Sequence, residues 1–517
     1  MLIKTVIRPG EYYDSVKLMI ATKQLSEFEG VTEAAILMGS DLNKEVLKRT
    51  GLLTPESEAA VPEDLVIAIS AETQEAIEQA LAEVDGLLNQ HGGGDDGEEY
   101  KPKSFDSALK AVPGLNFCII SVPGKYARRE AMKALQNDMH VLLFSDNVTK
   151  EEELELKTYA RENGLLLMGP DCGTAMINNV PLGFANKVRK GSIGMVGAAG
   201  TGMQEVMVLI HKLGEGISQA IGTGGRDLSL EIGGITMLQG IEALNNDPET
   251  KVIVVISKPP AEEISDKMLA YIKENVEKPV VINFIGGDKN KVEAIGKAAA
   301  STLEEAAVKA VKLAEASCCS KYSMENNDEL EAIAEEQAKS IKPGQKYLRG
   351  LYSGGTLCYE SMLVLRDYIG DVYSNTPLNK KMKLADANIM QENCCVDYGD
   401  DQFTVGRAHP MIDTTLREEE FMNEVEKEDV AVILLDIVIG YGTHADPAGV
   451  FAKRIKQARE KMEKKGIYIP VICYICGTEE DPQNWALQKA KLEDAGAIVV
   501  SSNAKASKLA GMIMKAL

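Results

Sequence analysis

Positive charge is scarce in this chain: 56 Lys and Arg stand against 78 Asp and Glu, a formal net charge of −22. That balance excludes the broad basic face that nucleic acid requires. It leaves room for a small anion held by backbone N–H groups and a few cations in a cleft. No apolar run approaches the roughly 20 residues of a membrane span, and the opening MLIKTVIRPG has no long apolar signal core. A cytoplasmic protein without a membrane partner is expected. The nine cysteines fall singly or as the adjacent pairs Cys318-Cys319 and Cys394-Cys395. Cys473 and Cys476 have metal or redox spacing but sit in an apolar stretch with no second pair, so they are read as core sulfur and no metal site is expected. A full Gly-x-Gly-x-x-Gly is missing after the strand that ends at Pro123-Gly124, which argues against dinucleotide binding.

What the sequence does contain is one pattern written twice. GMVGAAGTGMQEVM (194–207) and GLYSGGTLCYESML (350–363) each run from apolar residues into a glycine turn ending in Gly-Thr. A Glu follows four residues after each Thr: Glu205 after Thr201 and Glu360 after Thr356. This spells strand, tight turn and helix N-terminus, where backbone N–H groups and the helix dipole favour an anion. One such turn opens many parallel-sheet helices for backbone reasons alone. Two copies about 155 residues apart, with matching surroundings, read as two halves of one phosphate site. Gly200, Thr201 and Gly202 form one half, and Gly354, Gly355 and Thr356 the other.

The surroundings repeat as well. GTGGRDL (222–228), KVIVVISKPP (251–260) and KPVVINFIGG (278–287) correspond to DYGDDQFTVGR (397–407), VAVILLDIVIGYG (430–442) and IPVICYICGT (469–478). Val/Ile-rich strands without polar alternation, interleaved with helices, predict α/β domains with parallel sheets covered on both faces. The expected organisation is a small N-terminal α/β domain (1–90), an acidic Gly-rich linker (91–103), a Rossmann-like domain (104–189), a first ligase-type domain (190–317), a connector with a helical stretch (318–344) and a second ligase-type domain (345–517).

The ordered motifs SVPGKYA (121–127), LLMGPDCGT (166–174), GSIGMVGAAGTG (191–202), the GTGGRD loop and a C-terminal VSSN resemble the FdrA proteins, which look like fused relatives of succinyl-CoA synthetase. The resemblance implies a CoA-binding-type Rossmann-like domain and two flavodoxin-like ligase domains, one similar to the α-subunit and one to the carboxy-terminal part of the β-subunit. In the synthetases, helix N-termini of the two ligase domains face each other across a phosphohistidine. Here the corresponding stretch GGDKNKVEAIGKAAA (286–300) has no histidine, and none of His91, His140, His211, His409 and His444 lies at that place. Nor does an ATP-grasp domain precede the β-like part.

The resemblance therefore implies an acyl or carbamoyl transferase subunit that uses inorganic phosphate, such as an oxamate carbamoyltransferase of anaerobic allantoin or purine breakdown, working with companion subunits. Two alternatives stand beside it: an acyl-CoA synthetase-like ligase completed by a partner subunit, and a non-catalytic metabolite-binding scaffold. Arg226 and Asp227 end a glycine loop, where an Arg suits bidentate contact with phosphate; a structural Arg–Asp pair fits as well. Lys258 at a strand exit can neutralise substrate charge or stay solvated. Asp400, Asp401, Arg407 and His409 share one loop that suits acid–base work. Pro123, Gly124 and Asn147 lie at strand ends where the relatives hold CoA, so CoA, the acyl donor or neither can occupy them. Mg²⁺ can accompany phosphate, and a homo-oligomer is compatible with the sequence.

Overall fold

The computed structural model describes all residues except Met1, Tyr12, Asp14, Glu27, Glu29, 90–101, Lys103, 315–322, Val405 and Gly406. The acidic linker, His91 and the Cys318-Cys319 pair thus lie almost wholly outside the described residues. The chain divides into a unit of residues 1–111 with 404–408 and a larger unit of 112–403 with 409–517.

In the smaller unit, β1 (Leu2–Arg8), β2 (Val31–Met38) and β3 (Leu65–Ala71) form an antiparallel sheet in the order β1-β3-β2. Central β3 is buried at every position because both sheet faces are covered. Leu65, Ile67 and Ile69 face Leu18, Leu25, Ile77, Val84 and Leu88. Val66 and Ala68 meet Leu47 and Leu52 on the other side. Ile77, Ala80, Val84 and Leu88 recur at helical spacing, so one stripe of the Gln74–Asn89 helix is apolar.

The larger unit holds three sheets. β4 (Phe117–Ile120), β5 (His140–Leu143) and β6 (Leu167–Met168) are parallel, in that order. The second sheet contains β7 (Thr174–Ile177), β8 (Val180–Gly183), β9 (Lys190–Gly197), β10 (Ile217–Gly222), β11 (Val252–Ser257), β12 (Val280–Phe284) and β13 (Ala298–Ala299). Its order is β13-β12-β11-β9-β10-β7-β8, with β7 and β8 an antiparallel hairpin on the edge and the rest parallel. The third sheet, wholly parallel, has β14 (Tyr347–Tyr352), β15 (Cys394–Asp397), β16 (Val430–Val438), β17 (Val471–Cys476) and β18 (Ile498–Val500) in the order β15-β14-β16-β17-β18.

The two larger sheets repeat one topology. Numbered within each copy, β10-β9-β11-β12-β13 and β15-β14-β16-β17-β18 both read 2-1-3-4-5, the flavodoxin-like order. Strand order reverses beside β9 and β14, the strands that lead into the Gly-Thr turns. Ligands of open parallel sheets bind at such reversals, beyond the carboxyl ends of the strands. β11 and β16 are buried along their whole length, as strands covered on both faces must be. Cys473 and Cys476 point into the core of β17. The hairpin β7–β8 precedes residue 190 in sequence yet extends the second sheet, because Ala220 of β10 pairs with Met176.

Candidate functional site

The repeated turns meet. After β9 the chain passes Ala198-Ala199 and enters the Gly200–Lys212 helix; after β14 it passes Ser353-Gly354 and enters the Gly355–Ile369 helix. The Thr356 N–H donates to Thr201 Oγ1 at 3.3 Å, joining the first turns of the two helices. A Cβ at Gly202 would stand 2.8 Å from Thr356 Cγ2, and one at Gly354 would stand 3.0 Å from Thr201 Cγ2. Glycine is therefore what lets the two helix N-termini approach this closely. Neither helix carries a side-chain N-cap, unlike those capped by Thr149, Thr302, Asn326 and Ser502. Absent such a cap, first-turn N–H groups other than that of Thr356 remain open to a ligand.

The two halves are nevertheless unequal. Asp436 of β16 accepts the Ser353 N–H at 2.8 Å through Oδ1 and the Gly354 N–H at 2.7 Å through Oδ2. Arg417 balances that carboxylate at 2.7 Å, and both side chains are buried. The expected phosphate contact from Gly354 N–H is thus not available in this structure: an internal carboxylate already occupies the anion position there. Among the described residues, the N–H groups of Gly200, Thr201, Gly202 and Gly355 have no hydrogen-bond acceptor.

Charges gather around the junction. Asp397, at the end of β15, accepts the Gly399 N–H at 2.9 Å, and its Oδ2 lies 2.4 Å from where a Cβ of Gly355 would be. Burial raises its pKa to about 6, against the opposing pull of Lys258. Lys258 is half-buried, with Nζ 5.8 Å from the Tyr359 ring centre. Its charge also reaches Asp171, which keeps an exposed edge. Enclosure of the Asp171 carboxyl and the neighbouring Asp401 and Asp146 push its pKa upward, with Arg226 and Lys258 opposing.

The other expected site residues separate into groups. Arg226 donates to Val148 O at 2.7 Å and pairs with Glu153 at 3.0 Å, tying the GTGGRD loop to the loop after β5. Asp227 is wholly buried: it pairs with Lys157 at 2.7 Å and accepts N–H groups of Thr236 and Met237. Those bonds make Asp227 a scaffold for the Ile235–Asn246 helix, so the structural reading of this residue prevails. Arg407 is exposed and belongs with residues 404–408 to the smaller unit. Pro123, Gly124 and Asn147 do converge, since a Cβ at Gly124 would stand 2.3 Å from Asp146 O and 2.5 Å from Asn147 O. Pro123 begins the Gly124–Leu135 helix without a side-chain cap, an end compatible with an anionic group of CoA or of an acyl donor.

His409 faces the junction from a third direction, with its ring centre 5.3 Å from that of Phe184. The other described histidines serve the backbone: Nδ1 of His140, His211 and His444 accepts the N–H of Leu166, Arg189 and Asp446.

Behind the turns lie residues that the motif marked without explaining. Glu205 and Glu360 are fully buried, and Asn503 of the VSSN motif joins them. Its backbone N–H donates to Glu205 Oε1 at 3.3 Å and its Nδ2 to Glu360 Oε2 at 2.8 Å. Burial raises the pKa of Glu360 to about 7. Glu205 is raised in the same direction by burial and by the Glu360 charge.

A cleft of about 500 Å³ lined by Glu325, Glu329 and Ile333, and a smaller one of about 210 Å³ beside Asn178 and Asp247, contain no residue of the junction. Among the described residues no group of three or more His, Cys, Asp or Glu is arranged to hold a metal ion. No helix among them is long and apolar enough to cross a membrane.

Comparison with known proteins adds a family to this geometry. Over 517 residues the chain is 44% identical to the uncharacterized protein YahF of Escherichia coli K12, covering 99% of this chain and 98% of that one. The chain belongs to the YahF family. Residues 351–513 match the CoA-ligase family, 188–286 the CoA binding domain family, and 1–103 the family described as AllF, heavy metal-associated domain. Residues 1–103 contain no cysteine, so thiolate metal ligation has no donor in that segment. The succinate–CoA ligase [ADP-forming] α subunit of Staphylococcus epidermidis RP62A is 29% identical over 184 residues, which is 34% of this chain and 58% of that subunit. The chain thus spans under two thirds of that relative. A crystal structure of PH0766 from Pyrococcus horikoshii OT3 aligns with 79% of this chain and 86% of its own at 15% identity and a TM-score of 0.32. The architecture of this YahF-family chain is succinyl-CoA synthetase-like, with CoA-binding and CoA-ligase regions and a small N-terminal domain.

Proposed function

We propose that the chain is an FdrA-type subunit of a carbamoyl- or acyl-transferring enzyme, in which inorganic phosphate works between the two helix N-termini without a phosphohistidine. The observation that carries this reading is the Thr356 N–H to Thr201 Oγ1 bond, which brings two uncapped helix ends to one point. The reaction proposed is phosphorolysis of oxalurate. A phosphate oxygen attacks the carbamoyl carbon, the C–N bond to the oxamate nitrogen breaks, and that nitrogen takes the proton leaving phosphate. Carbamoyl phosphate and oxamate result. The open N–H groups of Gly200, Thr201, Gly202 and Gly355 would hold phosphate, and Lys258 would offset its charge beside Asp397. Preorganised donors of this kind favour charge that develops during reaction. Asp397, with a pKa of about 6, is the carboxyl at the turn able to exchange a proton near neutral pH.

The AllF-type match of residues 1–103 supports a place in allantoin breakdown. Oxalurate cleavage assayed with co-purified companion proteins, with and without phosphate, tests the proposal; product formed equally well without phosphate would reject it. A second reading, an acyl-CoA ligase completed by a partner subunit, draws support from the CoA-ligase and CoA binding domain matches. CoA would then lie against Pro123, Gly124 and Asn147, which precede the residues matched to the CoA binding domain family. That reading predicts CoA-dependent acyl transfer and an acid-labile label from ATP.

A further inference from the structure

Two separate chains of contact link His409 to the two turns. On one side its ring lies against Phe184, whose carbonyl accepts the Thr174 hydroxyl at 2.8 Å. The Thr174 Oγ1 in turn lies 3.3 Å from where a Cβ of Gly200 would be. On the other side His409 Nε2 and Ser353 O both lie 2.8 Å from where a Cβ of Gly399 would be, and Asp397 Oδ1 lies 3.2 Å from it. Ser353 opens the second glycine turn. Imidazole Nε2 therefore lies against Gly399, on the side of that residue that also faces Ser353 O and Asp397 Oδ1, beside the turn that opens the Gly355–Ile369 helix.

Hydrogen bonding fixes which nitrogen carries the proton. Nδ1 accepts the Met411 N–H at 3.2 Å, so in the neutral ring its lone pair is engaged and the proton resides on Nε2. Nε2 has no hydrogen-bond partner among the described residues. Enclosure of the ring and the charge of Arg417 push the pKa down to about 4, so the ring stays neutral at neutral pH. In this tautomer Nε2 has no lone pair in the ring plane with which to accept a phosphoryl group.

We propose that His409 is a catalytic hydrogen-bond donor, a neutral imidazole whose Nε2–H is aimed at the oxygen of the acyl or carbamoyl group under attack, and not a phosphoryl carrier. This rests on the phosphate-dependent transfer proposed above. The donor keeps its proton throughout: as phosphate adds to the carbonyl carbon, the carbonyl oxygen gains negative charge and the Nε2–H bond to it shortens. Removing one such donor from a preorganised site costs about 10²–10³-fold in kcat.

The test combines a tautomer measurement on the resting protein with kinetics. Long-range ¹H–¹⁵N NMR of the full-length, histidine-labelled chain should show His409 protonated at Nε2 and bare at Nδ1 at pH 7. With oxalurate, phosphate and companion proteins, His409→Ala should lose about 10²–10³-fold in kcat with KM little changed. His409→Gln, which places an amide N–H near the same position, should recover at least tenfold of that loss. A proton on Nδ1, an acid-labile phosphoryl label on His409 after incubation with carbamoyl phosphate, or full activity in His409→Ala would each overturn the donor role. Absence of wild-type turnover would reject the transfer reading instead, and the NMR result would still decide the tautomer.

Discussion

Replacing Glu205 by Gln should stabilise the protein at pH 8 and change it little at pH 5. The carboxyl is buried between the turn helices, beside the Glu360 carboxyl, and burial raises both groups. The sign follows from linkage. A group whose pKa is raised in the folded state carries no penalty while both states are protonated. As pH climbs past the ordinary value of 4.5, the unfolded chain releases a proton that the folded chain retains, and stability falls until the folded pKa is passed. For Glu360 the interval from 4.5 to about 7 corresponds to roughly 3 kcal/mol. Glu205 is raised in the same direction by burial and by the Glu360 charge, with the buried Lys212 charge opposing. Gln at 205 keeps an oxygen for the Asn503 N–H and does not titrate. Urea unfolding of both proteins at pH 5, 6, 7 and 8 should give a stability difference that grows with pH, on the order of 1–3 kcal/mol by pH 8. A difference that is flat across that range would refute the shared-burial argument.

Other perturbations follow from the same geometry. Thr201→Val leaves the Thr356 N–H without its acceptor and should cost about 1–3 kcal/mol, read as a lower unfolding midpoint in urea. Asp436→Ala strands the buried Arg417 and frees the Ser353 and Gly354 N–H groups, so a loss of about 3–5 kcal/mol is expected by the same assay. Lys258→Met removes the charge that holds the Asp397 pKa down, so the acidic limb of the pH–rate profile should move upward from about 6. Gly124→Ala forces a Cβ into Asp146 O and Asn147 O, and should weaken binding of whichever ligand the Pro123 end holds, measured by titration calorimetry.

The sequence carried the repeat because the backbone demands it. A strand-to-helix turn that must meet its twin at van der Waals distance needs Gly202 and Gly354, and those glycines were visible as a motif. The flavodoxin-like fold came only through the family resemblance, and the matching 2-1-3-4-5 order shows once the strands pair. Asp436 and Arg417 were not legible: 19 residues apart on β16 and the Thr415–Glu424 helix, they become partners only when the sheet packs. Asp436 is a single polar residue in an apolar strand, and only the folded turn shows that its carboxylate fills an anion position. Asp227 is the opposite case: in the sequence a loop Asp beside an Arg fits a ligand contact or a structural pair, and only the fold shows Lys157 and two helix N–H groups on it. Asn503 is a middle case: the VSSN motif stands out in the sequence, but its link to both glutamates requires three separate segments in contact.

The central claim, that phosphate between the paired turns attacks a carbamoyl carbon, is tested most directly by oxygen tracing. The full-length chain with its companion proteins would be given oxalurate and phosphate labelled at every oxygen with ¹⁸O. The account predicts carbamoyl phosphate that retains all the labelled oxygens on phosphorus, with formation abolished in folded Thr201→Pro and Thr356→Pro variants. Carbamoyl phosphate formed at the wild-type rate by both variants, or phosphate consumed only when CoA is present, would contradict it.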